Sequence, residues 1–314
     1  MNSLAPSGAP GRPLSRKNEE TTSPGRVVTG ALVASAALGA YALIEPYLFR
    51  LNRLEAKVDP RSPSLDVLHL SDMHMRAGSR RLQKWLGELP DRLGTTPDLT
   101  LATGDLIEDD SGIDFIVEAL GRLRGRLSSF YVFGSHDYYQ SKFQAYTKYL
   151  TGKRQVDAPR ASTDRLIAGL DGVGWKSVIN GTETVETDGG RVRITGVDDP
   201  YIGRHRTGHI AREPDDVLAI GLMHAPDVVS DYALAGYDLV LGGHTHAGQV
   251  RIPGVGAIVT NCTLPAALAG GLVRVGSAWL HMSPGLASGR FAPIRFNCRP
   301  EATLLQLRPR NGPR

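Results

Sequence analysis

The pattern of apolar and polar positions predicts alternating strands and helices along most of the chain. Short apolar runs that end in polar turns predict buried strands at 66–70, 98–102, 130–133, 217–223 and 238–241. Helical spacing of apolar residues predicts helices at 80–93, 115–123 and 227–234. A regular exchange of strands and helices indicates an α/β core.

A second group of short apolar runs predicts another sheet. These runs lie at 192–195, 278–282 and 302–307. These runs favour a second, more antiparallel sheet. A proline-containing stretch at 59–63 precedes the first predicted strand, and we predict a linker over residues 50–63.

The first 49 residues differ from the rest in composition. Residues 1–26 are rich in Pro, Gly, Ser and charge, which predicts a disordered tail. Residues 27–44 contain no charged side chain, and the apolar character resumes after Pro46 up to residue 49. Three interpretations are open for residues 27–49: a single transmembrane anchor, an export signal with a small-x-small site at Ala40–Ala42, or a buried core helix. The anchor predicts a single-pass protein of a bacterial plasma membrane.

The net charge of the chain, +4, is modest, and much of the excess lies near the two ends. No basic stripe with interleaved aromatic residues is visible, so we expect no nucleic-acid partner. A phosphorylated substrate or an anionic membrane surface suits this charge. The two cysteines, Cys262 and Cys298, allow either a disulfide in an oxidising compartment or two buried free thiols.

Acidic residues and histidines follow the predicted strands. Asp72, Asp105, His136, His224 and His244 each come directly after an apolar run. Ligand sites of open α/β sheets gather at the carboxyl ends of strands. These five side chains are therefore expected to face one cleft.

The most specific of these turns is Gly243-His244-Thr245-His246, with two imidazoles in extended spacing. Neutral imidazole is a common ligand of transition metals. Asp-x-His at Asp72 and His74 is weak evidence alone, but carboxylates mixed with several imidazoles favour two divalent ions such as Mn, Fe or Zn. Two such ions can hold a bridging hydroxide and clamp a phosphoryl group.

In their order, these motifs resemble the signature of the metallophosphoesterase superfamily, the calcineurin-like phosphoesterases. The resemblance extends over residues 64–308, which we predict as the catalytic domain, followed by a tail at 309–314. Segments 196–200, 248–253 and 300–304 resemble a narrower bacterial branch of membrane-associated or exported members. The resemblance implies a four-layer α/β-β/α sandwich of two mixed sheets flanked by helices, here preceded by an N-terminal hydrophobic helix.

The resemblance also implies a role for each motif residue. Asp72, His74 and His246 would hold a first metal, Asp105 would bridge, and His224 and His244 would hold a second. His136 would protonate the leaving oxygen, and Asp137 would support it. Ser135 stands where the family usually has Asn as a ligand of the second metal. A hydroxyl is a shorter and poorer ligand, so we predict weaker binding of the second ion.

The expected activity is hydrolysis of a phosphomonoester, phosphodiester or pyrophosphate, on a small-molecule substrate or on a lipid-linked or envelope substrate near a membrane. The alternative is a catalytically weak member of the same fold that acts as a binding or scaffold protein at the membrane, since loss of a ligand is one step towards such a protein.

Overall fold

The computed structural model describes residues 24–141, 158–260, 262 and 264–311. The chain divides into two compact units, residues 1–40 and residues 41–314. In the first unit, the described residues belong to helix α1, Pro24–Ile44. Residues 1–23 of the predicted tail, and residues 312–314 at the other end, lie outside the described residues.

Helix α1 covers residues 27–44 of the hydrophobic segment predicted at 27–49, and Glu45–Tyr47 form a separate short 3-10 helix. Among the described residues, however, no helix is both long and apolar enough to span a lipid bilayer. The structure therefore does not support the predicted transmembrane anchor over residues 27–49.

The second unit contains two six-stranded sheets. The first sheet has the order β1-β14-β2-β3-β4-β5. Its strands are β1 (Arg50–Val58), β2 (Leu65–Leu70), β3 (Leu99–Thr103), β4 (Ser128–Val132), β5 (Lys176–Ser177) and β14 (Glu301–Pro309). Only the β14–β2 pair is antiparallel, so the sheet is mixed.

The second sheet has the order β12-β13-β9-β8-β7-β6 and is also mixed. Its strands are β6 (Gly181–Thr187), β7 (Gly190–Gly196), β8 (Asp216–Leu222), β9 (Leu239–Gly242), β12 (Gly271–Val275) and β13 (Ala278–Met282). A small hairpin is formed by β10 (Arg251–Ile252) and β11 (Gly256–Ala257).

Three apolar clusters separate the layers. One lies between the sheets and includes Val67, Phe130, Ile194 and Leu239 from both of them. The other two pack helices on the outer faces of the sheets. These helices are α2 (Arg80–Gly87), α3 (Leu89–Leu93), α4 (Ile113–Arg122), α5 (Thr163–Gly172) and α6 (Val229–Leu234). The arrangement is helix, sheet, sheet, helix, which confirms the predicted four-layer sandwich.

Three predictions about elements need correction. Residues 50–58 of the predicted linker form β1, which pairs in parallel with β14 over its whole length. The predicted helix at 80–93 is two helices that meet at Glu88, because Pro90 cannot continue the first one. The run at 302–307 belongs to the first sheet and not to the second, since β14 pairs with β2.

Both cysteines are free thiols, Cys262 half-buried and Cys298 buried. Of the two alternatives drawn from the sequence, the disulfide is therefore absent from this structure.

Candidate metal centre

The strand ends of both sheets converge on one site. Asp72, Asp105 and His136 follow β2, β3 and β4, which are neighbouring parallel strands of the first sheet. His224 and His244 follow β8 and β9, which are neighbouring parallel strands of the second. All five polar strand ends therefore lie at the same edge of the sandwich, as the sequence pattern predicts.

The backbone of this site is strained. Asp72, His74, Asp105, His244 and His246 all have positive φ, between 39° and 66°. This conformation costs a non-glycine residue on the order of 1 kcal/mol or more, and it persists where the surrounding fold imposes it. The strain coincides with the residues that the sequence pattern singles out as ligands.

Asp72, His74 and His246 form the first candidate group, with ligand atoms within 4.8 Å of one another. His246 Nε2 lies 3.4 Å from His74 Nε2 and 3.6 Å from Asp72 Oδ1. Ligands about 2.1 Å from a tetrahedral ion lie roughly 3.4 Å apart, so these atoms are spaced as a metal shell requires. Burial, reinforced by His74 and Arg295, holds the pKa of His246 well below its usual range, in the neutral form that binds metals.

Asp72, Asp105 and His224 form the second candidate group. His224 Nδ1 donates a hydrogen bond to the carbonyl of Thr103 at 2.7 Å, so Nε2 is the atom that offers a lone pair to a metal when the ring is neutral. That Nε2 is buried, has no hydrogen-bond partner among the described residues and lies 3.2 Å from Asp105 Oδ2. A divalent cation between these two atoms would satisfy both of them.

Charge in the site favours a cation. Burial alone would lower the pKa of His224, but Asp105 and Asp72 raise it well above its usual range. Burial would likewise raise the pKa of Asp105, but His224 and His136 hold it well below. In the absence of metal, protons on the imidazoles therefore balance the buried carboxylates, and a bound ion would displace them.

Two glycines leave room for this cluster. A Cβ atom on Gly134 would overlap Asp105 Oδ1 and the His224 ring, and one on Gly243 would overlap Ser71 Oγ and Asp72 Oδ2. The strand-end turns after β4 and β9 can therefore approach the carboxylates only because these positions lack a side chain.

His244 lies at the rim of the second group. Its ring centroid is 5.2 Å from that of His224 and 4.6 Å from that of Tyr201. Its backbone N–H donates to both oxygens of Asp72, at 3.0 and 3.2 Å. Ser135 and His244 line the same cavity of about 150 Å³ beside this group.

His136 lines this cavity with 28% of its side chain exposed. Its backbone N–H donates to Asp105 Oδ1 at 2.9 Å, and its Nδ1 lies 3.0 Å from Ser141 Oγ. The ring is therefore free to present Nε2 to the cavity while Nδ1 is held from behind.

Asp137 is buried and turned away from the cavity. Its carboxylate accepts hydrogen bonds from the backbone N–H groups of Leu106, Ile107 and Gly134. Burial, and then the charge of Asp105, raises its pKa to about 7. Its contacts are those of a support for the turns after β3 and β4.

Two acidic residues near the site were missed in the sequence. Glu108 Oε2 lies 2.8 Å from His74 Nδ1 and 3.8 Å from His136 Nδ1. Asp199, next to the second group, is fully buried with Oδ2 unpartnered among the described residues. The sequence held a signal for each of them. Glu108 stands three residues after Asp105 in the same turn, and Asp199 stands at the end of a strand-like run.

Comparison with known proteins places the chain in a family. The family model for calcineurin-like phosphoesterases matches residues 65–248, which include every residue of both candidate groups. The chain belongs to the calcineurin-like phosphoesterase family. It is therefore a hydrolase of phosphate esters, and its carboxylate and histidine groups are those of a site for divalent metal ions.

Relatives span nearly the whole chain. The Bacillus subtilis metallophosphoesterase YkuE is 25% identical over 91% of this chain and 95% of its own length. The Escherichia coli phosphodiesterase YaeI is 29% identical over 89% of this chain and 96% of its own length. A Bos taurus transmembrane protein with a metallophosphoesterase domain is 28% identical over 80% of this chain but only 54% of its own length.

Proposed function

We propose that this protein hydrolyses a phosphodiester or a pyrophosphate with two divalent metal ions. Asp72, His74 and His246 would hold one ion, and His224 with His244 the other, with Asp105 between them. Bound ions supply Lewis acidity and an activated water at such a site. The observation that carries the proposal is the pair of adjacent candidate groups that share Asp72, with Asp105 Oδ2 only 3.7 Å from His74 Nε2 and 3.2 Å from His224 Nε2.

His136 is the residue best placed to act on a leaving group. It lines the cavity beside both groups, and imidazole exchanges protons near neutral pH. With Nδ1 held by Ser141, Nε2 would carry the proton that the leaving alkoxide takes up.

The preference for a substrate with two substituents rests on a second cavity. A cleft of about 420 Å³ is lined by His74 and otherwise by residues outside both candidate groups. Arg76 and Arg80 line it and form no ion pair among the described residues, while Tyr47, Phe49 and Leu286 line it with apolar surface. A phosphomonoester would leave this cleft unfilled. A diester or pyrophosphate whose second substituent combines charge and apolar surface, as a lipid-linked one does, would fill it.

The reaction is tested with p-nitrophenyl phosphate and bis-p-nitrophenyl phosphate in the presence of Mn²⁺. We expect hydrolysis of the diester, and a loss of at least about 100-fold in kcat for Asp105→Ala and His136→Ala. His209→Ala is the matched control, because His209 lies outside both cavities and bonds only to the carbonyl of Gly196 among the described residues. A protein that binds Mn²⁺ but hydrolyses neither compound would instead be the scaffold protein.

The cleft is tested separately. Arg76→Ala and Arg80→Ala should raise KM for a diester with an anionic or acylated second substituent and leave KM for p-nitrophenyl phosphate unchanged. Arg122→Ala, an exposed arginine on α4 paired with Glu118, is the control. Equal effects of the cleft variants on both substrates would show that the cleft does not hold the second substituent.

A further inference from the structure

A chain of buried hydrogen bonds runs from the second sheet to a candidate metal ligand in the first. His281 Nδ1 on β13 lies 2.8 Å from His69 Nδ1 on β2, and His69 Nε2 lies 2.8 Å from Thr103 Oγ1 on β3. Thr103 Oγ1 donates to Ser71 Oγ at 2.8 Å. Ser71 Oγ donates to Asp72 Oδ2 at 2.6 Å, which is closer than its other acceptor, the Thr103 carbonyl at 3.2 Å. Four side chains, from three strands and one turn, thus form a chain of hydrogen bonds that ends at one carboxylate oxygen of Asp72.

The chain has one direction. Since Ser71 gives its proton to Asp72 and Thr103 gives its own to Ser71, Thr103 must accept from His69. His69 is then protonated on Nε2, and its bare Nδ1 accepts from the Nδ1–H of His281. This leaves a lone pair on His281 Nε2, and that atom has no hydrogen-bond partner among the described residues.

The pattern requires His69 to be neutral, and the surroundings favour the neutral form of both imidazoles. His69, His281, Thr103 and Ser71 are at most 1% exposed, and a charge there would be poorly solvated. A proton added to His69 Nδ1 would also face the Nδ1–H of His281, which would place two donors opposite each other. Neutral rings give each nitrogen of His69 one partner.

The chain fixes the orientation of Asp72. Ser71 holds Oδ2, while Oδ1 lies 3.6 Å from His246 Nε2 in the first candidate group. Rotation of this carboxylate would break the bond from Ser71 and the bonds from the backbone N–H of His244. Substitution of a residue that hydrogen-bonds to a metal ligand commonly weakens metal affinity by about 10–100-fold.

We propose that Ser71, Thr103, His69 and His281 are positioning residues that orient Asp72 for the metal ion it shares with His74 and His246. The proposal rests on the metal site of the proposed function but not on its reaction or substrate. It differs from a purely structural link between the two sheets, because such a link would affect folding without a specific effect on one metal site.

The first test compares two buried threonines of the same strand. Thr103→Val removes the hydroxyl from the chain at nearly constant volume, and Thr103→Ser retains a hydroxyl. Thr100→Val is the control, since Thr100 is also fully buried on β3 but its hydroxyl has no partner among the described residues. Mn²⁺ titration by calorimetry should show binding at the tighter site 10–100-fold weaker in Thr103→Val and close to wild type in Thr103→Ser and Thr100→Val.

The second test needs no variant. Nitrogen-15 NMR of the metal-loaded protein, with a diamagnetic ion such as Zn²⁺, should show His69 protonated on Nε2 and His281 protonated on Nδ1. The opposite tautomers would reverse the direction of the chain and overturn the proposal. So would equal metal affinities of folded Thr103→Val and Thr100→Val. Loss of hydrolysis alone would concern the proposed function and not this inference, because both readouts are independent of turnover.

Discussion

At the scale of single residues, Glu108 supports two histidines of the site without facing the cavity. Burial acts against its ionisation, but His74 and His136 lower its pKa to about 2. Burial alone would lower the pKa of His74. Glu108, together with Asp105 and Asp72, raises this pKa to about 9. A carboxylate behind Nδ1 orients a ligating imidazole and increases its basicity.

Glu108→Gln should therefore weaken metal binding by roughly 10–100-fold while the fold is retained. Mn²⁺ titration measures the affinity, and circular dichroism checks the fold. Glu118→Gln, on the exposed surface of α4, is the matched control. Unchanged affinity in Glu108→Gln would show that His74 needs no carboxylate behind it.

Ser135 is a second residue that is expected to affect metal binding. It is half-buried and lines the cavity beside Asp105, at the first position of the turn Ser135–Asp137. A serine hydroxyl reaches less far than an asparagine amide oxygen, so the second ion lacks one good ligand. Titration should show two unequal binding steps, and Ser135→Asn should tighten the weaker one. Two equal, tight steps in the unaltered protein would contradict this prediction.

At the scale of elements, the sequence predicted the strands that carry the site and missed an edge strand. Each site strand is a mostly apolar run followed by a polar turn, because the strand is largely buried. In contrast, β1 lies at an edge, where charged residues such as Arg53 and Lys57 alternate with the buried Ala56 and Val58. The missed signal of a strand was this alternation with a period of two, in which the charged residues lie on the open face.

The same reasoning explains which site residues could be predicted. Residues directly after an apolar run, such as Asp72 and His224, are marked by the end of the run. Arg295 is not, because it reaches the site from a loop whose path depends on tertiary packing. Arg295 is fully buried and lies 3.4 Å from His246 Nδ1, although nothing in its local sequence indicates this position.

The attachment of β1 depends on Glu301 at the start of β14. Its buried carboxylate accepts hydrogen bonds from Arg50, Asn52 and Thr303, at 2.7–3.0 Å. Glu301→Ala should destabilise the protein by about 1–3 kcal/mol, because these bonds are lost inside the protein. Urea denaturation measures the loss, and hydrogen exchange should locate it in residues 50–58. Glu55→Ala, whose partner Lys57 is exposed, should change stability by less than about 0.5 kcal/mol.

At the scale of the whole molecule, the contact between His69 and His281 joins the two sheets in their buried interior, and it makes stability depend on pH. Burial, and then the proximity of His281, holds the pKa of His69 well below its usual range. Burial lowers the pKa of His281 from 6.5 to about 4, although Glu301 opposes the shift.

Because the folded pKa is lowered, the unfolded chain takes up protons that the folded protein cannot accept. This contribution to stability is constant above about pH 6.5 and decreases as the pH falls towards 4, by up to about 3 kcal/mol for His281. His281→Gln removes the titrating group, so the stability difference between wild type and variant should shrink from pH 7 to pH 4.5. Urea denaturation at each pH measures it, with the half-buried His209→Gln as control. A difference that stays constant with pH would mean that His281 is as easily protonated inside the fold as outside it.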